Sequence, residues 1–255
     1  MSRLLFEHPL NERSRTLLRL SHLFDQFEHN HTAADPWQSR LALQALLEAA
    51  AILARPDIKS DFIKQIDQQA QSLERLASQP GVNQTTLARV LDDLAGVRRR
   101  LQRAPGQLGR RLRSHEFLKS VAQRLTIPGG SFEFDLPQLH LWLHRPPERR
   151  ANELAAWRRE LALAADATEL LLGLLRNSAD PRPHLAHEGF FQQSLAPQKR
   201  EVEMIQVTLD AELDLYAEIS GNKHRFCIRF MEGGRLETPA ATTRDVPFQL
   251  KTCAL

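Results

Sequence analysis

His140 and His144 stand four residues apart in LPQLHLWLHR. On a helix that spacing puts two imidazoles on one side, where they could share a metal ion. HLWLH, however, has no glutamate in the position of a zinc protease's general base, and no third ligand is apparent. His184 and His187, which read as loop residues, meet the same objection. Cys227 and Cys253 lie too far apart for a metal knuckle, and Cys227, between Phe226 and Ile228, reads as a reduced packing thiol. Asp92, Asp93, Glu201 and Glu203 are scattered carboxylates rather than an apposed acid–base pair. The phosphate-cradling motifs GxGxxG and GxxxxGKS/T are missing, as is the GxSxG nucleophile elbow. These residues argue against an enzyme, and no metal or cofactor is expected.

Cations carry a stronger signal. In NKHRFCIRFM, residues 222–231, alternation along a strand puts Phe226, Ile228 and Phe230 on one face and Lys223, Arg225, Cys227 and Arg229 on the other. Such a row would offer an acidic ligand several charge-assisted contacts, with arginine gripping carboxylates through two oxygens. From pattern alone, a solvated outer sheet face paired to neighbouring glutamates is the commoner origin of such a row. A second cluster gathers Arg98, Arg99, Arg100, Arg103, Arg110, Arg111 and Arg113. It could steer an anionic partner, either acidic protein or nucleic acid. It also fits a solvated helix end, where cations are favourable. The formal charge of +3 and a pI near 9.1 are mild for a dedicated nucleic-acid binder. Phenylalanines sit mostly on apolar faces, so a base-stacking platform is not evident.

Periodicity supplies the elements that must hold these residues. Asn11 can cap a helix over 11–30, with Leu17, Leu20, Phe24 and Phe27 on one face. Asp35-Pro36 opens a second helix that Pro56 stops. A third, over about 57–79 with Ile58, Phe62, Ile66 and Leu76, ends at Pro80-Gly81. A fourth, capped by Asn83, carries a heptad-like seam of Leu87, Val90, Leu94, Val97 and Leu101, so the two form a long antiparallel hairpin. Ser114 caps a short helix, SFEFD at 131–135 reads as a short strand, and Pro147 opens a final helix reaching about Asn177. After Asp180 the pattern turns to strands. The expected fold is α+β: a mainly α-helical domain over 1–180 and a smaller antiparallel β domain over 181–255, with the 131–135 strand leaving the first to join the sheet.

The start lacks the long apolar run of a signal peptide, and no stretch is long and apolar enough to span a membrane. The expected location is the cytoplasm, away from membranes.

Long strings converge on one family. LFEHPLNE at 5–12, the following RTLLRL, QPGV at 79–82, QRLTIPGGSFEFDLPQLHLWLH at 123–144 and ISGNKHRFCIRFM at 219–231 resemble the ZapD family of cell division proteins. The resemblance implies a helical lobe and a β lobe, and a symmetric homodimer that binds the C-terminal tail of FtsZ. Such a dimer bundles FtsZ filaments at midcell and uses no cofactor. It also implies a positively charged tail-binding surface fed by both lobes. Matching positions are Arg19, His140, Lys223, Arg225 and Arg229. Glu116 stands where family members carry an arginine, and Arg113 nearby could supply that charge. A nucleic-acid-binding protein using the 98–113 segment is the alternative; no nucleic acid is expected on the first reading.

Overall fold

The computed structural model describes residues 2–75, 77, 81–195, 201–234 and 237–254. Leu76 and Pro80, assigned above to the third helix and its stop, lie outside them. The elements run β1 (Arg3–Pro9), α1 (Glu12–Asn30), α2 (Pro36–Leu53), α3 (Ile58–Glu74), α4 (Gln84–Arg103), α5 (Arg110–Arg113), α6 (Glu116–Leu125), α7 (Pro137–Leu143), α8 (Pro147–Arg159) and α9 (Ala162–Arg176). Then come β2 (Arg182–Ala186), β3 (Phe190–Ser194), β4 (Val202–Asp210), β5 (Leu215–Gly221), β6 (Arg225–Glu232) and β7 (Val246–Ala254). The fold is α+β. The chain forms two compact units: Met1–Leu18 with Leu172–Leu255, and Arg19–Leu171.

In the β unit, antiparallel strands make one sheet in the order β1-β4-β7-β2 and another in the order β3-β6-β5. Phe226, Ile228 and Phe230 of β6 join Ile205, Val207, Phe248 and Leu250 in one core. Alternation reads β6 correctly from Arg225 to Phe230, where every second side chain is buried; Met231, buried next to Phe230, departs from it. On the four-stranded sheet, Glu7 receives two hydrogen bonds from Arg176, at 2.9 and 2.6 Å, and one from Gln206 at 2.7 Å. Burial would raise the Glu7 pKa, but these hydrogen bonds and the charges of Arg176 and Lys251 outweigh it and hold the carboxyl below its ordinary value. Cys253 is the packing thiol, wholly buried and pushed up to about 11 by that burial.

In the helical unit, the sequence signals for the starts of α2 and α4 are met. Asp35 accepts from Trp37 N at 3.0 Å, and Asn83 accepts from Thr86 N at 3.0 Å. In the β unit Asn11 does the same for Ser14 N at 2.8 Å. The α3–α4 hairpin buries Phe62, Ile66, Leu94 and Leu101, and an Arg98–Asp67 ion pair of 2.5 Å joins its two helices.

Several expectations need correction. Residues 131–135 form no strand and join no sheet. They turn tightly, because Phe132 N finds Gly129 O and Leu136 N finds Phe132 O, so the backbone is satisfied locally. The Phe alternation there reflects two exposed rings rather than one buried face. Conversely, residues 3–9 are a sheet strand, β1, paired with β4. His184 lies on β2 rather than in a loop. The helix expected over 147–177 is two helices, broken where Glu160 N and Leu161 N bond three residues back, to Trp157 O and Arg158 O. Ser114 does not cap α6; its hydroxyl donates to Arg111 O, and His115 holds the cap position.

Candidate protein-binding surfaces

The outward face of β6 is the first. Arg225 and Arg229 project from it, exposed, on either side of half-buried Cys227. Register sets Ser194, Gln192 and Phe190 of β3 opposite Arg225, Cys227 and Arg229 on one flank. On the other flank Ser220 and Glu218 of β5 face Cys227 and Arg229. Glu218 is Arg229's neighbour in register, yet among the described residues neither arginine makes an ion pair. Cys227 Sγ lies 3.0 Å from Ser220 Oγ, so the thiol belongs to this polar face and not to the core. Lys223 is not on the strand: it stands at the exposed tip of the β5–β6 hairpin, whose Asn222 side chain accepts from the backbone N–H groups of His224 and Arg225. Phe190, Gln192, Ser194 and Ser220 went unmarked in the sequence; they become visible only once pairing sets their register.

The second surface surrounds α7. His140 is exposed, its Nδ1 3.5 Å from Glu133, and its ring centroid is 4.4 Å from that of His144. Among the described residues no group of three or more His, Cys, Asp or Glu could hold a metal ion. His140 and His144 instead border a cavity of about 340 Å³ with Trp37, Arg40, Phe132 and Leu143. What fixes this cavity is Arg150, 2% exposed and, among the described residues, without a carboxylate partner. It donates to Ser39 Oγ at 3.0 Å and to Leu143 O at 3.2 Å, and also to Arg145 O and to Ala34 O, the last at 2.5 Å. One planar guanidinium thus ties the start of α2 to the end of α7. Nothing in the sequence separates Arg150 from its neighbour Arg149, which is exposed.

Arg19 is exposed on α1, with no ion pair among the described residues. Arg113 differs. Its guanidinium donates to Ala50 O, Leu108 O and Gln107 Oε1, at 3.3, 2.9 and 2.8 Å, and burial pulls its pKa below the ordinary value. Within its cluster Arg98 pairs with Asp67 and Arg100 with Asp166, while Arg99, Arg103, Arg110 and Arg111 stay exposed. Glu116 occupies the first turn of α6, where a carboxylate suits the helix dipole.

Residues 18–229 match the family model ZapD, described as a cell division protein. The chain belongs to this family. It is 40% identical over 254 residues to a cell division protein ZapD of Methylococcus capsulatus, covering 100% of this chain and 99% of the relative. Relatives of the same name from Ralstonia nicotianae, at 38% over 251 residues, and Chromobacterium violaceum, at 39% over 249, cover 98% and 97% of this chain and 99% and 98% of their own. As a member of that family the chain is a cell division protein. No helix among its described residues is long and apolar enough to cross a membrane.

Proposed function

We propose that this protein binds the acidic C-terminal tail of FtsZ through basic residues and, as a homodimer, cross-links FtsZ filaments in the cytoplasm at midcell without catalysing a reaction. The observation that carries the reading is the outer face of β6, where Arg225 and Arg229 are exposed and lack ion pairs among the described residues. An exposed arginine with no internal partner loses little on meeting a carboxylate, and two in a row reward an extended chain that carries several. Arg19 and His140 of the helical unit and Lys223 at the hairpin tip are further contributors. Arg113 contributes less, because most of its donors are already engaged.

A twofold dimer offers each set of cations twice, so one particle can hold two filaments. Repeated tails along a filament raise the effective concentration, and each contact can then be weak, in the micromolar range of about −8 kcal/mol. The test is sedimentation of FtsZ polymer with the wild-type chain and with Arg225→Glu and Arg229→Glu. Both variants should stay dimeric, leave the polymer pellet and fail to bundle filaments. Unchanged bundling by both would remove this face from the account.

A further inference from the structure

The fold holds aromatic rings in solvent beside α7. Trp37, Phe132 and Phe134 are 68%, 62% and 79% exposed, and Leu141 of α7 is exposed as well. Isolated exposed hydrophobes are ordinary, but a group of them beside a cavity marks a contact surface. The turn that presents the phenylalanines is firmly built. Gly129 takes a φ of +70°, and a Cβ on Gly130 would come within 2.7 Å of Arg124 O. Arg124 then reaches Asp135 across the turn at 3.4 Å. These contacts set Phe132 against the 340 Å³ cavity, which Trp37 also lines, with the Arg40 guanidinium 5.4 Å from its ring centroid. The volume suits a side chain rather than a large cofactor. Nitrogen groups outnumber carboxylates on the rim: the guanidinium of Arg40 and the imidazoles of His140 and His144 stand beside one carboxylate, Glu133, 3.5 Å from His140.

We infer that this cavity takes a bulky apolar side chain of an acidic partner peptide, with a flanking carboxylate meeting Arg40 and His140. The inference deepens the tail-binding reading and rests on it for the partner's identity. It adds an apolar anchor to what would otherwise be recognition by charge alone, and so supplies discrimination among acidic chains.

The test uses the full chain and two dye-labelled, blocked peptides: one with a phenylalanine among aspartates, the other with serine in its place. Anisotropy should show the phenylalanine peptide binding at least roughly tenfold tighter. Trp37 emission should shift to the blue with that peptide alone. Trp37→Ser and Phe132→Ser, both at exposed positions that the core does not need, should each erase the preference. Equal affinities, no binding of either peptide, or a preference that survives both substitutions would overturn the inference. So would conversion of a dimer to a monomer by either substitution, which would assign the patch to a second copy of the chain. FtsZ sedimentation separates the two readings. Bundling without a peptide preference removes only the apolar anchor, whereas a preference without bundling removes FtsZ as the partner.

Discussion

Two arginine-rich stretches that look alike in sequence are put to different use. Arg98–Arg113 is the denser, yet Arg98 and Arg100 are paired with aspartates and Arg113 is hydrogen-bonded into the loop and helix around it. The β6 pair, Arg225 and Arg229, is sparser and stays exposed without ion pairs among the described residues. Density of charge along a chain therefore overstates the charge available to a partner, since Arg98, Arg100 and Arg113 are engaged while Arg99, Arg103, Arg110 and Arg111 stay exposed. Placement on a face whose reverse is core says more, because the backbone then forces the cations outward.

The contrast can be broken by substituting arginines and measuring thermal and denaturant unfolding. The largest effect should come from Arg150→Met, outside both stretches but the extreme case of an arginine held for structure. It strands buried acceptors around α2 and α7, and a loss of about 3–5 kcal/mol is expected. A loss under 1 kcal/mol would show that water replaces the guanidinium there.

Next is Glu7→Gln, which tests a structural arginine of the β unit, Arg176. About 2 kcal/mol should be lost at neutral pH, from charge-assisted bonds in a partly buried site. The sign with pH follows from the lowered pKa. Stability from this carboxylate is present above the unfolded value of 4.5 and is lost as pH falls from there through the folded value. Wild-type unfolding curves should fall off over that range more steeply than those of the variant.

Arg113→Met should cost about 1–2 kcal/mol, since Ala50 O and Leu108 O lose a donor. Arg225→Met should change stability by less than about 0.5 kcal/mol. The reverse ranking would invert the comparison. Arg98→Ala, which removes an exposed pair, should also cost little, about 0–1 kcal/mol and less in salt.

Helix starts and the polarity of β6 were legible because each depends on local rules: a capping oxygen two or three residues ahead, or period-two alternation. Asn83 and Phe226 obey them. SFEFD obeys the alternation rule and is still a turn, because pattern cannot tell a half-buried strand from rings held outward by glycines. β1 was missed because its partner, β4, lies about two hundred residues away in sequence. The same blindness hid Arg150, whose acceptors come from separate segments, and Phe190, Gln192, Ser194 and Ser220, which flank the β6 arginines only after the strands pair.

The most direct measurement is a titration of an FtsZ C-terminal tail peptide into the wild-type chain, an Arg225→Glu/Arg229→Glu variant and an Arg99→Glu/Arg103→Glu variant, at low and moderate salt. The account predicts binding that weakens with salt in the wild type, is lost from the β6 variant and is largely retained by the α4 variant. Full affinity in the β6 variant, with loss confined to the α4 variant, would contradict it.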